Sequence, residues 1–183
     1  MALTDAGATG KVIRQSYEYV PYQPGKSKLM IFSGVLEANN GGITGVTSRI
    51  GCFDSSVEKT VAGNGNGLFF ELGGESGKTF SIVERLNLTS STGTENRVAQ
   101  TAWNYDKFDG TGPSGLTIND FSKALIFAID QEWLGVGRAR YGFVVNGLLT
   151  CPLITITGIE SKKLQRVPVR ALVPPGPEVT RQA

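Results

Sequence analysis

The fold of this chain is decided by residues 133–147, which read WLGVGRARYGFVVNG. Side chains alternate along a strand, so the stretch divides into two faces. One face carries Arg138, Arg140, Gly142, Val144 and Asn146, and the other carries Ala139, Tyr141, Phe143 and Val145. The closing Asn-Gly pair is the strongest short-range hairpin signal. The stretch therefore predicts a one-sided antiparallel strand in a β scaffold that binds or assembles rather than catalyses.

Composition narrows the classes of function. The chain has 183 residues, enough for one domain with a sizeable core, and its net charge is only +2. Lysine and arginine are scattered, which argues against direct nucleic-acid binding through a basic patch. Histidine is absent, which removes Ser-His-Asp and Cys-His catalysis and the commonest metal ligand. We therefore expect no enzyme, no cofactor and no metal site.

The cysteines and the first residues indicate the cellular compartment in which the protein is made. Cys52 and Cys151 are too far apart for a zinc motif. Two buried or idle thiols in a reducing compartment are the preferred interpretation, and a disulfide is the alternative. Residues 1–5 lack the charged start and apolar run of a signal peptide, and no segment approaches a membrane-spanning length. We expect synthesis in a host cytoplasm and no membrane span.

Short alternating segments separated by glycine clusters run through the chain. The 24 glycines suit tight turns between short strands. Ten strands are predicted, at 12–20, 28–37, 46–53, 67–72, 79–88, 97–103, 124–129, 133–147, 148–159 and 167–173. Residues 124–129 are apolar enough for burial on both faces, and Pro152 indicates an edge or a bulge. One helical turn is expected in 116–122, capped by Thr117 or Asn119.

This pattern predicts an all-β fold, an antiparallel β-sandwich of the jelly-roll type, with a concanavalin-like sandwich as the alternative. We expect a single domain over residues 11–173. Residues 1–10 are small and polar, and residues 174–183 begin with Pro-Pro-Gly-Pro, which cannot fold by itself. Both ends are therefore expected to be flexible arms that become ordered on neighbouring subunits.

Residues 72–79, LGGESGKT, imitate a phosphate-binding P-loop. That motif needs glycine where Leu72 stands, and its loop should open a helix. Here the following residues, Phe80 to Val83, read as a strand. A hairpin turn is therefore the preferred interpretation.

The acidic residues allow a glycosidase, since many glycosidases are β-sandwiches with two inward carboxylates. The candidates are Glu71, Asp106, Asp109, Asp130 and Glu132. Asp106 and Asp109, however, lie in a glycine-rich loop, where aspartate usually bonds to nearby backbone. Asp130 and Glu132 flank a predicted turn. Catalysis is therefore the least favoured interpretation.

The loop at residues 103–115, WNYDKFDGTGPSG, combines aromatic and acidic side chains over tight turns. Such a loop could contact sugar or calcium. The preferred interpretation is that Trp103 and Phe108 cap the core while the remaining residues turn a corner.

Arginines spaced along the strands are usually solvated, but they also allow a subunit interface, where arginine pairs with carboxylates. These are Arg85, Arg97, Arg138 and Arg140.

With these residues laid out, the chain resembles a virion-associated β-domain of large double-stranded DNA viruses and some tailed phages. The resemblance is carried by segments in a fixed order: GCFD at 51–54, GLFFE at 67–71, VER at 83–85, QTAWNYDK at 100–107, DGTGPSG at 109–115 and DQEWLGVGRARYGF at 130–143. It covers about residues 50–147, and the last segment is the most specific. The chain departs from the pattern after Gly147, where residues 148–159 replace a His-bearing strand and an Asn-rich segment.

The resemblance implies a structural role in the particle, as a minor capsid, decoration or fibre-associated protein, and it supplies no catalytic residues. We expect a virion protein that assembles with itself or with a major capsid protein. The alternative is a receptor- or carbohydrate-binding module that contacts a host surface glycan. The candidate contact residues are Trp103, Asp106, Asp109, Trp133, Arg138 and Arg140.

Overall fold

The computed structural model describes residues 12–19, 26–37, 45–53, 66–73, 79–86, 94–132, 138–150, 156–157 and 168–173. Within these ranges the chain forms eleven strands and one short 3-10 helix, Gln100–Ala102. The strands are β1 (Val12–Tyr19), β2 (Lys28–Gly34), β3 (Thr47–Phe53), β4 (Gly67–Gly73), β5 (Thr79–Leu86), β6 (Thr94–Ala99), β7 (Leu125–Glu132), β8 (Arg138–Val145), β9 (Leu148–Thr150), β10 (Ile156–Thr157) and β11 (Pro168–Val173).

The strands form two antiparallel sheets. The six-stranded sheet has the order β1-β11-β3-β4-β5-β6. The five-stranded sheet has the order β10-β8-β7-β2, and β9 also pairs with β8. Aromatic and aliphatic side chains from both sheets share one buried core. The prediction of an all-β antiparallel sandwich is confirmed, while the jelly-roll type stays a prediction.

Phe70 of β4 lies at the centre of the core and is fully buried. Its ring contacts three aromatic rings of the opposite sheet, with centroid distances of 5.0 Å to Phe127, 5.4 Å to Tyr141 and 5.4 Å to Phe143. In β8, Tyr141 and Phe143 point inward, whereas Arg138 is exposed. The two faces read from the alternation of this strand are therefore confirmed.

Two predicted hairpins are present. Gly73 of β4 pairs with Thr79 of β5, and β5 runs on as a strand, so the P-loop-like stretch connects a hairpin and opens no helix. The turn between β8 and β9 places Asn146 and Gly147 at φ angles of 51° and 76°. Positive φ at both positions is what a type I′ turn requires and is why Asn-Gly is favoured there.

The region before β7 differs from the expectation. The predicted strand over 97–103 begins earlier and ends at Ala99, because the chain then turns through the 3-10 helix and carries Trp103 into the core. The indole N–H of Trp103 donates to the carbonyl of Val98 at 3.1 Å. The helical turn expected in 116–122 is also absent. Instead, Thr117 forms an isolated antiparallel β-bridge with Asp109, and the chain makes a tight turn after Asp120.

The cap predicted at Thr117 or Asn119 is also wrong, because residues 116–122 form no helical turn for it to cap. Asp120, rather than Thr117 or Asn119, accepts a hydrogen bond from the backbone N–H of Ser122 at 3.1 Å. A short polar side chain that bonds the backbone two residues on closes a turn without starting a helix. The prediction that residues 124–129 are buried on both faces is correct for Phe127 to Ile129. It is wrong for Ile126, which is exposed on the outer face.

Of the strand predicted over residues 148–159, the structure describes residues 148–150 and 156–157. Residues 148–150 and 156–157 both pair with β8, which agrees with an edge position for this segment, but Pro152 lies outside the described residues. Cys52 carries a free, buried thiol. Cys151, Trp133 and the expected arms at 1–10 and 174–183 also lie outside the described residues. No helix within the described ranges is long and apolar enough to cross a membrane.

Candidate functional site

The loop between the 3-10 helix and β7 is organised by Asp106. Its carboxylate accepts hydrogen bonds from the backbone N–H groups of Phe108 and Ser114, both at 2.8 Å. Gly112 lies against this carboxylate so closely that a Cβ atom there would be 2.2 Å from Oδ1. Burial raises the pKa of Asp106, but the hydrogen bonds from Ser114 and Phe108 outweigh it and the pKa is lowered. Asp106 therefore holds the loop as an ionised acceptor.

Gln100 closes the loop from the side. Its amide Nε2 donates to the carbonyls of Lys107, Phe108 and Ile118, at 2.9, 3.3 and 3.1 Å. The backbone N–H of Ile118 in turn donates to the carbonyl of Phe108 at 2.8 Å. Phe108 has a φ of 49°, which is uncommon for a residue with a side chain. These bonds hold that conformation in place.

A groove of about 400 Å³ opens beside this loop. Its floor consists of buried side chains, Phe80, Phe108, Ile118 and Phe121. Its rim is polar and carries Gln100, Thr101, Lys107, Asp109, Thr117 and Asn119. An apolar floor with a few polar groups around it is the usual character of a small-ligand site.

The outer face of the six-stranded sheet carries a network of ion pairs. Glu71 accepts hydrogen bonds from Nε of Arg49 at 2.7 Å and from Nε of Arg97 at 2.8 Å. Arg97 also pairs with Glu95, which in turn pairs with Arg85 at 2.6 Å. This network spans β3, β4, β5 and β6 and ties four strands together on their solvent side.

An aromatic side chain lies within that network. The ring of Phe69, on the outer face of β4, is buried, with the guanidinium groups of Arg49 and Arg85 at 5.3 and 5.1 Å from its centroid. Cations over an aromatic face are attracted by the ring quadrupole. Burial raises the pKa of Glu71, but Arg97 and Arg49 outweigh it and the net shift is downward. The charged groups here bond to one another, which is the behaviour of a structural network.

The outer face of the five-stranded sheet has two different halves. In one half the exposed side chains are apolar, namely Ile31 of β2, Ile126 of β7 and Leu149 of β9. Ala128 lies opposite Ile31 and pairs with Gly142 across β7 and β8, and both of these small residues are buried. We call this half the apolar patch.

The other half of the same face is charged. Asp130 pairs with Arg140, and Glu132 pairs with Arg138 at 2.8 Å. Both pairs link β7 to β8 directly across the sheet. Two acids and two bases leave this half without net charge, so it can meet another surface without strong repulsion.

The structure places the expected contact residues in different regions. Arg138 and Arg140 lie on the charged half of the five-stranded sheet, and Asp109 is exposed at the rim of the groove. Trp103 and Asp106 are buried within the loop and support its shape. The apolar patch was not predicted from the sequence. The sequence signal for it is the run of apolar residues in β2, where Leu29 and Ile31 alternate with Met30 and Phe32 and so place apolar side chains on both faces of the strand.

The five carboxylates considered for catalysis all have bonding partners. Glu71, Asp130 and Glu132 pair with arginines. Asp106 accepts backbone hydrogen bonds, and Asp109 accepts hydrogen bonds from the N–H and hydroxyl of Thr111 at 2.9 and 2.6 Å. In the part of the chain that the structure describes, no three acidic or cysteine side chains are grouped as metal ligands would be.

No protein family, curated protein or solved structure matches this chain.

Proposed function

We propose that this protein is a structural component of a virus particle that assembles with copies of itself or with a major capsid protein. The observation that carries the proposal is the apolar patch, on which Ile31 is 56%, Ile126 39% and Leu149 38% exposed. Several exposed apolar side chains on one sheet face are typical of a contact surface. The resemblance to virion-associated β-domains gives the class of assembly.

The composition of the face also supports assembly. Interfaces are apolar at their centre and polar at the rim, and arginine is enriched in them. Here the apolar patch continues directly into the pairs formed by Arg138 and Arg140. Such pairs fix orientation and select partners rather than supply most of the affinity.

The test is a charge placed in the apolar patch. Ile126→Lys should weaken concentration-dependent association in sedimentation velocity and reduce incorporation into particles, while the circular dichroism spectrum stays unchanged. Thr101→Lys, an exposed residue of the groove rim, is the matched control and should assemble normally. A wild-type chain that enters no assembly, or an Ile126→Lys chain that assembles like wild type, would contradict the proposal.

A second candidate function is supported by the groove, whose aromatic floor and polar rim suit a sugar ring. In this case the protein is a receptor- or carbohydrate-binding module of the particle. Asp109→Ala should remove glycan-array binding without loss of the fold, and Lys123→Ala, outside the groove, should leave it intact. Absence of binding to any glycan by the wild-type protein would exclude this candidate.

A further inference from the structure

Strand β2 forms one edge of the five-stranded sheet. On one side it pairs with β7 without interruption, from Lys28 opposite Gln131 to Gly34 opposite Leu125. No described strand pairs with its other side. An edge strand offers backbone donors and acceptors to any second strand that can lie beside it.

The other sheet edges carry features that discourage such pairing. Strand β6 carries the ion-paired Glu95 and Arg97. The pairing of β1 with β11 is irregular between Gln15 and Tyr19. The far edge of the five-stranded sheet is divided between the short strands β9 and β10. Charges, irregular register and short strands are the usual protections against edge-to-edge association.

Strand β2 lacks these protections. It reads KLMIFSG, with a single charge at its first residue, no proline and no register shift. Met30 and Phe32 are buried in the core, whereas Leu29 and Ile31 are 51% and 56% exposed on the outer face. A regular apolar edge of this length is suited to accept another strand.

We infer that β2 pairs antiparallel with β2 of a second copy of this chain, joining the two five-stranded sheets into one continuous sheet. The inference rests on the proposed function in its self-assembling form. A two-fold axis at Ile31 sets Ile31 opposite its own mate, Leu29 opposite Ser33 and Lys28 opposite Gly34. Each residue then meets one that points to the same face, because the positions are symmetric about Ile31.

Charge favours the antiparallel orientation of two copies over the parallel one. In the antiparallel pair the two Lys28 side chains stand at opposite ends, roughly 20 Å apart at about 3.3 Å per residue. A parallel pair would set them side by side, where like charges repel. The antiparallel pair also brings the two apolar patches together across the axis, which gives a larger apolar surface than one copy presents.

Cysteine cross-linking of the full chain tests the register. In a Cys151→Ser background, protein carrying Leu29→Cys is mixed with protein carrying Ser33→Cys and oxidised under mild conditions. The mixture should give a disulfide-linked heterodimer, whereas each protein alone gives little, since position 29 faces position 33 and neither faces its own mate. The native Cys52 does not interfere, because it is buried and burial raises the pKa of its thiol to about 12.

Ile126→Cys is the control for packing by the sheet face, since it lies on the same outer face but on β7. In the edge-paired dimer it should cross-link at least tenfold more slowly than Ile31→Cys. Equal rates for these two variants, with association retained, would overturn the edge pairing and leave the proposed function standing. A wild-type chain that is monomeric and enters no particle would overturn both. Incorporation only with a different capsid protein, without the 29–33 heterodimer, would overturn the edge pairing alone.

Discussion

Arg97 of β6 reaches across the intervening strand β5 to bond Glu71 of β4, with Nε 2.8 Å from Oε1. Ser81, the residue of β5 beside Glu71, is small enough to leave the path open. The same carboxylate receives Arg49 from the other side at 2.7 Å. One acid thus joins three strands, and its removal is a direct test of what the network contributes.

Glu71→Gln should lower the free energy of unfolding by about 2 kcal/mol, because it leaves two arginines without their shared acid. Glu132→Gln, at the more exposed pair with Arg138, is the control and should cost less than about 1 kcal/mol. Urea denaturation measures both. Because the pKa of Glu71 is lowered on folding, the difference from wild type should shrink as pH falls through that pKa. Equal losses in the two variants would contradict a special role for Glu71.

Glu84 should give the free energy of unfolding the opposite dependence on pH. It is buried on β5, and among the described residues no donor reaches its Oε1 atom. Burial raises its pKa and outweighs the hydrogen bond with Asn96. The folded state therefore holds the proton more tightly than the unfolded chain, and stability falls as pH rises from the usual value of 4.5 through the raised pKa.

The corresponding variant is Glu84→Gln. It should be more stable than wild type at pH 7 and close to it below pH 4.5, in urea denaturation at a series of pH values. Glu71 is present in both proteins, so the difference between their profiles reports Glu84. A difference that does not change with pH would contradict the assignment.

Phe70 should be the most sensitive position of the core. Phe70→Ala removes a fully buried ring that contacts Phe127, Tyr141 and Phe143, and a loss of about 4 kcal/mol is expected. Tyr105→Ala is the control, because Tyr105 is an exposed aromatic residue. Its cost should stay within about 0.5 kcal/mol. Thermal and urea unfolding of both variants measure the contrast, and similar losses would be inconsistent with the central place of Phe70.

The loop predicts an effect of a single added methyl group. Gly112→Ala would bring Cβ against the Asp106 carboxylate and displace it from the N–H groups of Phe108 and Ser114. A loss of about 2 kcal/mol is expected from the broken hydrogen bonds, together with faster amide exchange at Ser114. Asp109→Asn should leave exchange at Ser114 unchanged, since Asp109 bonds to Thr111 instead. Protection of Ser114 that persists in Gly112→Ala would argue against this account.

Much of the fold could be predicted because its signals are local. The alternation in residues 138–145 assigns Tyr141 and Phe143 to the core, and Asn146-Gly147 sets the turn that follows. The end of β6 at Ala99 was not predictable in this way. It depends on the position of Trp103, whose indole fills the core and draws the chain out of the sheet. Propensity cannot report a contact with Phe80 and Phe143, which are distant in sequence.

By itself the sequence determined that the chain is all-β, which strands form the nearest hairpins, and which face of each strand is apolar. Strand alternation and turn residues act over a few positions and therefore appear in the sequence. Only the tertiary structure decided that β2 lies at a sheet edge, that Glu71 meets Arg97 across β5, and that Asp106 supports its loop from within. These depend on pairing between residues distant in the chain, which the buried core selects as a whole.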